Sequence, residues 1–305
     1  MKLNCLLALA CLGVAGSAAA PAASAAPVPP QRYEIDSLDL SAGAGSPAIR
    51  QPAFWFRAEG TEKNASSKPA PAMLLLHGCG GPYGRSGDLS ARMTDYAALL
   101  NAEGFHVLVT DSLSPRGERE LCTQKVGTRK VTQLNRRRDA LGAVQWLAAQ
   151  PEVDAARIGL MGWSNGGSNV LAATNLAHSE VRAAPLQAAF AVAFYPGCED
   201  ELRRGYRPSA PLLMLLGGAD DWTAPGPCVA LAQASATTSA PVPSPEAVVY
   251  PGAYHGFDGT AAVVVRRDVP NGVRGGLGVH VGGDPAARAA SRERLLQFLR
   301  LQVSR

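Results

Sequence analysis

Arg157-Ile158-Gly159-Leu160-Met161-Gly162-Trp163-Ser164-Asn165-Gly166-Gly167 passes from an apolar run into a turn of small residues, and Asn169-Val170-Leu171-Ala172-Ala173 then begins a helical pattern. The stretch reads as a short buried strand, a tight turn and the start of a helix. Within it, Gly162-Trp163-Ser164-Asn165-Gly166 is a G-x-S-x-G pattern in the setting that presents a serine as a nucleophile. A serine on a sharp strand-to-helix turn is held in a strained backbone conformation, so the positions two away on either side must be small. The helix start behind it aims N–H groups at any charge that develops nearby. A glycine-rich turn with an incidental serine is the plainer reading, and the flanking strand and helix favour the nucleophile.

Working outward, Met73-Leu74-Leu75-Leu76 and residues 105–110 are continuous apolar runs of the kind found in strands covered on both faces. His77-Gly78-Cys79-Gly80-Gly81 follows the first, and Asp111-Ser112 with Ser114-Pro115-Arg116-Gly117 follows the second. Between them Asp88 or Ser90 can cap a helix that Gly104 stops. A long helix is predicted over about 131–150, with Leu134, Leu141, Val144 and Leu147 on its inner stripe. Residues 188–194 and 212–216 read as further strands, with Gly217-Gly218-Ala219-Asp220-Asp221-Trp222 directly behind the second. A helix over 228–236 and a Ser/Thr/Ala/Pro loop over 235–245 lead to the last strand, Val248-Val249-Tyr250, which ends in Pro251-Gly252-Ala253-Tyr254-His255-Gly256-Phe257. A glycine-rich excursion over 259–283 precedes a final helix from Pro285, capped by Asp284. Near the start, Tyr33 to Leu40 alternates with period two and Phe54-Trp55-Phe56 is a second strand, both expected at an antiparallel edge.

Strands alternating with helices predict α/β architecture: one doubly wound, mostly parallel sheet with helices on both faces. Ligands bind such sheets outside the carboxyl ends of the strands. His77, Ser114, Ser164, Asp220 and His255 each fall just behind a predicted strand, so they are expected to share one rim.

The chain has 305 residues, 47% hydrophobic and 18% charged, enough for one large domain. A net charge of +4 without an aromatic-interleaved basic stripe argues against a nucleic-acid partner. Arg136-Arg137-Arg138, the densest basic run, reads as a solvated helix face. At the N-terminus, Lys2, an apolar segment to Ala15 and Ala23-Ser24-Ala25 have the layout of a secretory signal ending near residue 25. The apolar run is too short to span a bilayer, and a lipid anchor at Cys11 is the weaker reading. The expectation is export from a bacterial cytoplasm, to the periplasm or beyond, with no membrane contact after signal removal. Processing leaves Cys79, Cys122, Cys198 and Cys228, which in an oxidising compartment form two disulfides by one of three connectivities. No zinc-ligand spacing occurs, and no metal is expected.

A serine hydroxyl needs a base to take its proton, and the base needs an acid to fix its tautomer. Ser164, then an acid behind the next-but-one strand, then His255 is the order of α/β-hydrolases. Asp220 is taken as the acid and Asp221 as a loop cap, since adjacent side chains cannot both face one imidazole. Backbone N–H groups of Asn165 and of Cys79 (or Gly80) are the candidate oxyanion donors. His77 is expected to shape its turn. Arg116, held between Pro115 and Gly117 on the active rim, is a candidate for binding a substrate carboxylate, or else a structural ion pair. Trp163 and Trp222 either line the pocket or pack beneath it, and His106, His178 and His280 read as structural.

With these residues in place the chain resembles the dienelactone hydrolase family of α/β-hydrolases, in particular an exported branch with a serine nucleophile. The matching pieces are His77-Gly78-Cys79-Gly80-Gly81, Asp111-Ser112 with Pro115-Arg116-Gly117, Gly162-Trp163-Ser164-Asn165-Gly166-Gly167, Asp220-Asp221-Trp222-Thr223, Tyr254-His255-Gly256-Phe257-Asp258 and Asp284-Pro285-Ala286-Ala287-Arg288. The resemblance implies a signal peptide over 1–25, an N-terminal extension and edge strand over 26–50 and one α/β-hydrolase domain over 51–305. It also implies no cofactor and hydrolysis of a small-molecule ester or lactone. Dienelactone enzymes themselves carry a cysteine nucleophile, so Ser164 directs the expectation toward a general carboxylesterase working through an acyl-enzyme. An exported peptidase or polyester depolymerase with the same triad, and a hydrolase-like binding protein without turnover, are the alternatives. Oligomeric state stays open. Pairing Cys79 with Cys122 would tether the oxyanion loop to the loop carrying Arg116, and Cys198 with Cys228 would join loops beside the acid, so these pairings are favoured.

Overall fold

Alternate residues of Met73-Leu74-Leu75-Leu76 pack into different cores, Met73 and Leu75 into one and Leu74 and Leu76 into another. The same split divides Leu213 and Leu215 from Leu212, Met214 and Leu216. Period-two alternation with every position apolar requires a sheet covered on both faces, and each such side chain contributes about 2 kcal/mol by burial. In a computed structural model, which describes residues 29–39, 49–58, 68–236 and 242–304, that sheet is the centre of the molecule. The proposed signal segment, residues 59–67 and part of the 235–245 loop lie outside the described residues.

Among the described residues, eight strands form the sheet: β1 (Gln31–Asp36), β2 (Arg50–Phe56), β3 (Ala70–Leu76), β4 (His106–Thr110), β5 (Val153–Trp163), β6 (Phe190–Phe194), β7 (Leu212–Gly217) and β8 (Glu246–Tyr250). Their order is β1-β2-β4-β3-β5-β6-β7-β8. β1 pairs with β2 and β2 with β4 antiparallel, and all other pairs are parallel. This is the α/β-hydrolase arrangement, with the antiparallel strands at one edge. One face is covered by α2 (Gln133–Ala148), α3 (Asn165–Thr174) and α6 (Gly226–Ala236), through Val144, Leu147, Val170, Leu171 and Leu231. The other is covered by α1 (Ala91–Ala102) and α7 (Pro285–Val303), through Tyr96, Leu100, Leu295 and Phe298. Asp284 caps α7 as its sequence predicts, its carboxylate accepting Ala287 N–H at 2.9 Å.

Two sequence expectations about α2 are corrected. Leu134 is 40% exposed and does not belong to the inner stripe, whereas Arg136 is 1% and Arg137 7% exposed, so the triple arginine is no solvated face. The first turn of α2 stands at the sheet's carboxyl rim, where exposed peptide groups and carboxylates, not apolar side chains, are what a helix can bury against. Arg137 and Arg138 both reach Glu180, and Arg138 also reaches Asp39. The glycine-rich excursion also holds a short antiparallel hairpin, β9 (Val264–Arg266) with β10 (Val279–Val281).

Both favoured disulfides are formed, Cys79–Cys122 and Cys198–Cys228, across 43 and 30 residues of chain. The second joins the start of α5 (Glu199–Arg204), which follows the short α4 (Ser179–Ala183) and β6, to α6. Closing a loop of this size removes roughly 4 kcal/mol of denatured-state entropy. Replacing Cys198 and Cys228 by serine is expected to lower Tm by about 10 °C in thermal denaturation followed by circular dichroism; a fall under 2 °C contradicts the assignment.

Candidate active site

The strand-to-helix turn owes its shape to two close approaches. A Cβ on Gly162 would lie 2.4 Å from Gly166 O, and one on Gly166 would lie 2.0 Å from Leu76 O and 2.5 Å from His77 O. Only glycine fits either position. Between them Ser164 has φ 53° and ψ −117°, a conformation that costs about 1–3 kcal/mol outside glycine. It is held by Ser164 N–H donating to Phe194 O at 2.9 Å and by Ser168 N–H donating to Ser164 O at 2.8 Å.

This conformation turns the hydroxyl to His255, whose Nε2 lies 2.9 Å from Ser164 Oγ. His255 Nδ1 lies 2.8 Å from Asp220 Oδ2. Donation of Nδ1–H to that carboxylate leaves the Nε2 lone pair free to accept the serine proton. Asp220 is buried, and its other oxygen accepts Trp222 N–H at 2.8 Å and Thr223 N–H at 2.9 Å. Asp220 faces the imidazole as expected, while the loop-cap role expected of Asp221 is corrected. Asp220 itself caps the loop while facing His255, and Asp221 binds His280, accepting its backbone N–H at 2.8 Å and lying 2.7 Å from its Nδ1. The imidazole of His255 is also walled by Tyr195, ring centroids 4.6 Å apart, and by Trp222, at 4.7 Å.

Tyr195 was not legible as a site residue. It directly follows β6 on the same rim, at φ 37°, and its hydroxyl donates to Asp258 Oδ1 at 2.6 Å. Burial works to raise the Asp258 carboxyl, but the Arg92 guanidinium and the Tyr195 hydroxyl outweigh it and hold Asp258 below the usual carboxylate range. Thr223 was missed as well. Its Oγ1 donates to Tyr195 O at 3.0 Å and sits 3.1 Å from both Asp220 Oδ2 and His255 Nδ1. Its sequence signals were its place three residues behind Asp220 and at the end of the Asp220-Asp221-Trp222-Thr223 piece that carries the family resemblance.

The backbone N–H groups of Cys79 and Asn165 border the same cleft as Ser164 and donate to no acceptor among the described residues. His77 shapes the loop beneath them. Its Nδ1–H donates to Gly78 O at 2.7 Å and its Nε2 accepts Ser112 N–H at 3.3 Å. Burial, reinforced by Arg136, pushes the His77 imidazole down to about 3, so it is neutral and not a second base.

The cleft has a volume of about 990 Å³ and runs from Ser164 along the first turn of α2. Trp222 lines it. Trp163 does not: it is 1% exposed and packs beneath the site on Tyr96 and Phe194. Arg116 is a further correction. Its guanidinium binds Asp139 through two hydrogen bonds, of 2.8 and 2.9 Å, and Asp39 and Ser112 O through two more, of 2.8 and 2.7 Å. Its two terminal nitrogens are committed to these four acceptors and its Nε is buried, so it presents no donor to the cleft; it pins the N-terminal segment to α2. Ser114 donates to Asp111 Oδ2 at 2.5 Å and stays outside the triad geometry. His106 stacks on Trp55, and His178 pairs with Glu201 in the cleft wall, both structural roles.

Two expectations follow. Asp220→Asn should lower kcat/KM by on the order of 10⁴, whereas Asp221→Asn should cost less than tenfold; the reverse ranking, in esterase assays of the folded variants, transfers the acid role to Asp221. The depressed His77 imidazole sets a pH dependence of stability. Its contribution is complete above the unfolded value of 6.5 and is lost as pH falls toward about 3, amounting to about 2 kcal/mol at pH 5. Urea midpoints at pH 7.5 and 5.0 should therefore converge in His77→Asn relative to the parent.

The sequence profile of the dienelactone hydrolase family matches residues 59–302. A search of curated proteins finds no match. Among solved structures, the chain is similar to a putative dienelactone hydrolase from Klebsiella pneumoniae, with 20% identity, a TM-score of 0.58 and coverage of 88% of this chain and 98% of that one. It is similar to the dienelactone hydrolase-like promiscuous phosphotriesterase P91 from metagenomic libraries, with 18% identity, a TM-score of 0.62 and coverage of 90% and 99%. It is also similar to butyrate-bound esterase 2 of Thermogutta terrifontis, with 15% identity, a TM-score of 0.56 and coverage of 84% and 90%. At these identities the structural likeness bears on the fold, while the profile spans most of the sequence: the chain belongs to the dienelactone hydrolase family.

Proposed function

We propose that this hydrolase cleaves small carboxylic esters or lactones through an acyl-enzyme on Ser164. The observation that carries the reading is the continuous chain from Ser164 Oγ through His255 to Asp220, with links of 2.9 and 2.8 Å. His255 Nε2 takes the hydroxyl proton as Oγ attacks the carbonyl carbon, and the carbonyl oxygen becomes an oxyanion facing the N–H groups of Cys79 and Asn165. Collapse of the intermediate expels the alcohol, which receives the proton from His255. Water, activated by the same imidazole, then releases the acid. Asp220 keeps the ring in the required tautomer throughout.

The wall of the cleft supports compact, polar substrates. Thr132, Gln133, Arg129 and Ser168 face it together with Val126, Leu134 and Trp222, so the wall mixes polar groups with short stretches of apolar surface. Among the described residues of the wall, none forms the long apolar channel an extended acyl chain needs. The two disulfides support the reading of the N-terminus as an export signal, since such bonds persist in oxidising compartments. No described helix is long and apolar enough to cross a membrane.

A fluorophosphonate probe should label the purified protein at Ser164, and Ser164→Ala should lose both labelling and on the order of 10⁵ or more of its esterase rate. Among p-nitrophenyl esters, kcat/KM for butyrate should exceed that for dodecanoate by at least about tenfold. A folded protein that neither reacts with the probe nor turns over any ester or lactone is a binding protein instead.

A further inference from the structure

The two N–H groups assigned to the oxyanion belong to different segments. Cys79 lies in the loop behind β3, and Asn165 begins α3 behind β5. Both must fall within about 2.7–3.1 Å of one oxygen to act together, so their separation has to be held to a fraction of an ångström. Arg136 reaches both segments. Its Nη2 donates to His77 O at 2.7 Å, two residues before Cys79, and its Nη1 donates to Asn165 Oδ1. From the preceding turn of α2, Gln133 Nε2 donates to Asn165 O at 3.1 Å.

The surroundings of Arg136 are unusual for an arginine. It is 1% exposed and pairs with no carboxylate among the described residues, unlike Arg116, Arg137 and Arg138 around it. Burial pushes it down to about 10, against the pull of Asp139 and Asp111, so it is still charged at neutral pH. A buried guanidinium without a counter-ion is expensive to keep, and a core position of this kind is ordinarily apolar. What it holds here are two acceptors on the two halves of the oxyanion site, spaced by a rigid planar fork that a lysine cannot reproduce.

We propose that Arg136 is a positioning residue for ester hydrolysis: its guanidinium, bridging His77 O and the Asn165 side chain, sets the spacing of the Cys79 and Asn165 N–H donors. The inference rests on the serine-esterase reading above. It concerns the transition state and not substrate affinity, since Arg136 is sealed beneath the loops and touches no substrate.

The test compares Arg136→Met and Arg136→Lys with the parent on a short p-nitrophenyl ester. It adds inhibition by a trifluoromethyl ketone, to which Ser164 Oγ adds, with its proton passing to His255, to give an anionic tetrahedral adduct, and by the unreactive methyl ketone of the same shape. Arg136→Met should lower kcat by on the order of 10² with KM within threefold. It should weaken the trifluoromethyl ketone by a similar factor and leave the methyl ketone unchanged. Arg136→Lys, able to reach one acceptor but not both, should recover part of the loss. If Arg136→Met does not fold, Arg136→Lys decides alone, with an expected loss of about tenfold in kcat and in trifluoromethyl ketone affinity. Folded variants with kcat within threefold of the parent, or equal weakening of both ketones, overturn the proposal. Failure of the parent itself to react with a fluorophosphonate would instead remove the esterase reading.

Discussion

The backbone at Gly166 lies against the carbonyls of Leu76 and His77, with no room for even one side-chain carbon. Because β3 and β5 are parallel neighbours, with Leu76 opposite Gly162, their two following loops leave the sheet side by side. The close approach then makes them one unit. The serine turn, the Cys79 loop and the first turn of α3 are parts of a single junction, and Ser164, His255 and Asp220 meet on top of it.

That junction gathers several locally unfavourable features. Ser164 and Tyr195 are the two non-glycine residues with positive φ among those described, and both stand at the site. Arg136 and Asp258 are buried charges in its foundations. None would persist on a mobile loop. Here each is over-determined by its neighbours: Ser164 by Phe194 and Ser168, Tyr195 by Asp258, Asp258 by Arg92, and the Cys79 loop by its disulfide and by Leu121 N–H donating to Cys79 O at 2.7 Å. A core packed on both faces of the sheet supplies the rigidity that such strain requires.

Much of this was readable in advance, and the reason is topological. A parallel strand covered on both faces announces itself as an uninterrupted apolar run, so its end, and the residue behind it, can be located from the sequence. Ser164 and Asp220 follow such ends and His255 follows the edge strand β8, so all three could be expected on one rim, where the structure brings them together. Arg136 and Leu134 were misread for the opposite reason, while of the two readings of Arg116 the ion pair is the one formed. Helix periodicity assumes that the buried stripe is apolar, but the first turn of α2 faces peptide groups and carboxylates at the rim. There Arg136 goes inward and Leu134 outward. The sequence holds no sign of which acceptors a long guanidinium will meet once residues far apart in the chain converge. Thr223 and Tyr195 escaped notice because their roles come through a backbone carbonyl and an aromatic edge, which leave no spacing pattern.

The two neighbouring carboxylates of Asp220 and Asp221 are committed in different directions, one to His255 and the other to His280 on β10. Val273 N–H also donates to Asp221 O at 2.9 Å, and Gly282 N–H to His255 O at 3.0 Å. The outer glycine-rich excursion is thereby leashed to the same dipeptide that aims the imidazole. An excursion anchored in this way is not free to drift into new shapes as an ordinary surface loop is. Any remodelling of its course that pulls on residue 221 is transmitted through one peptide unit to the Asp220–His255 contact.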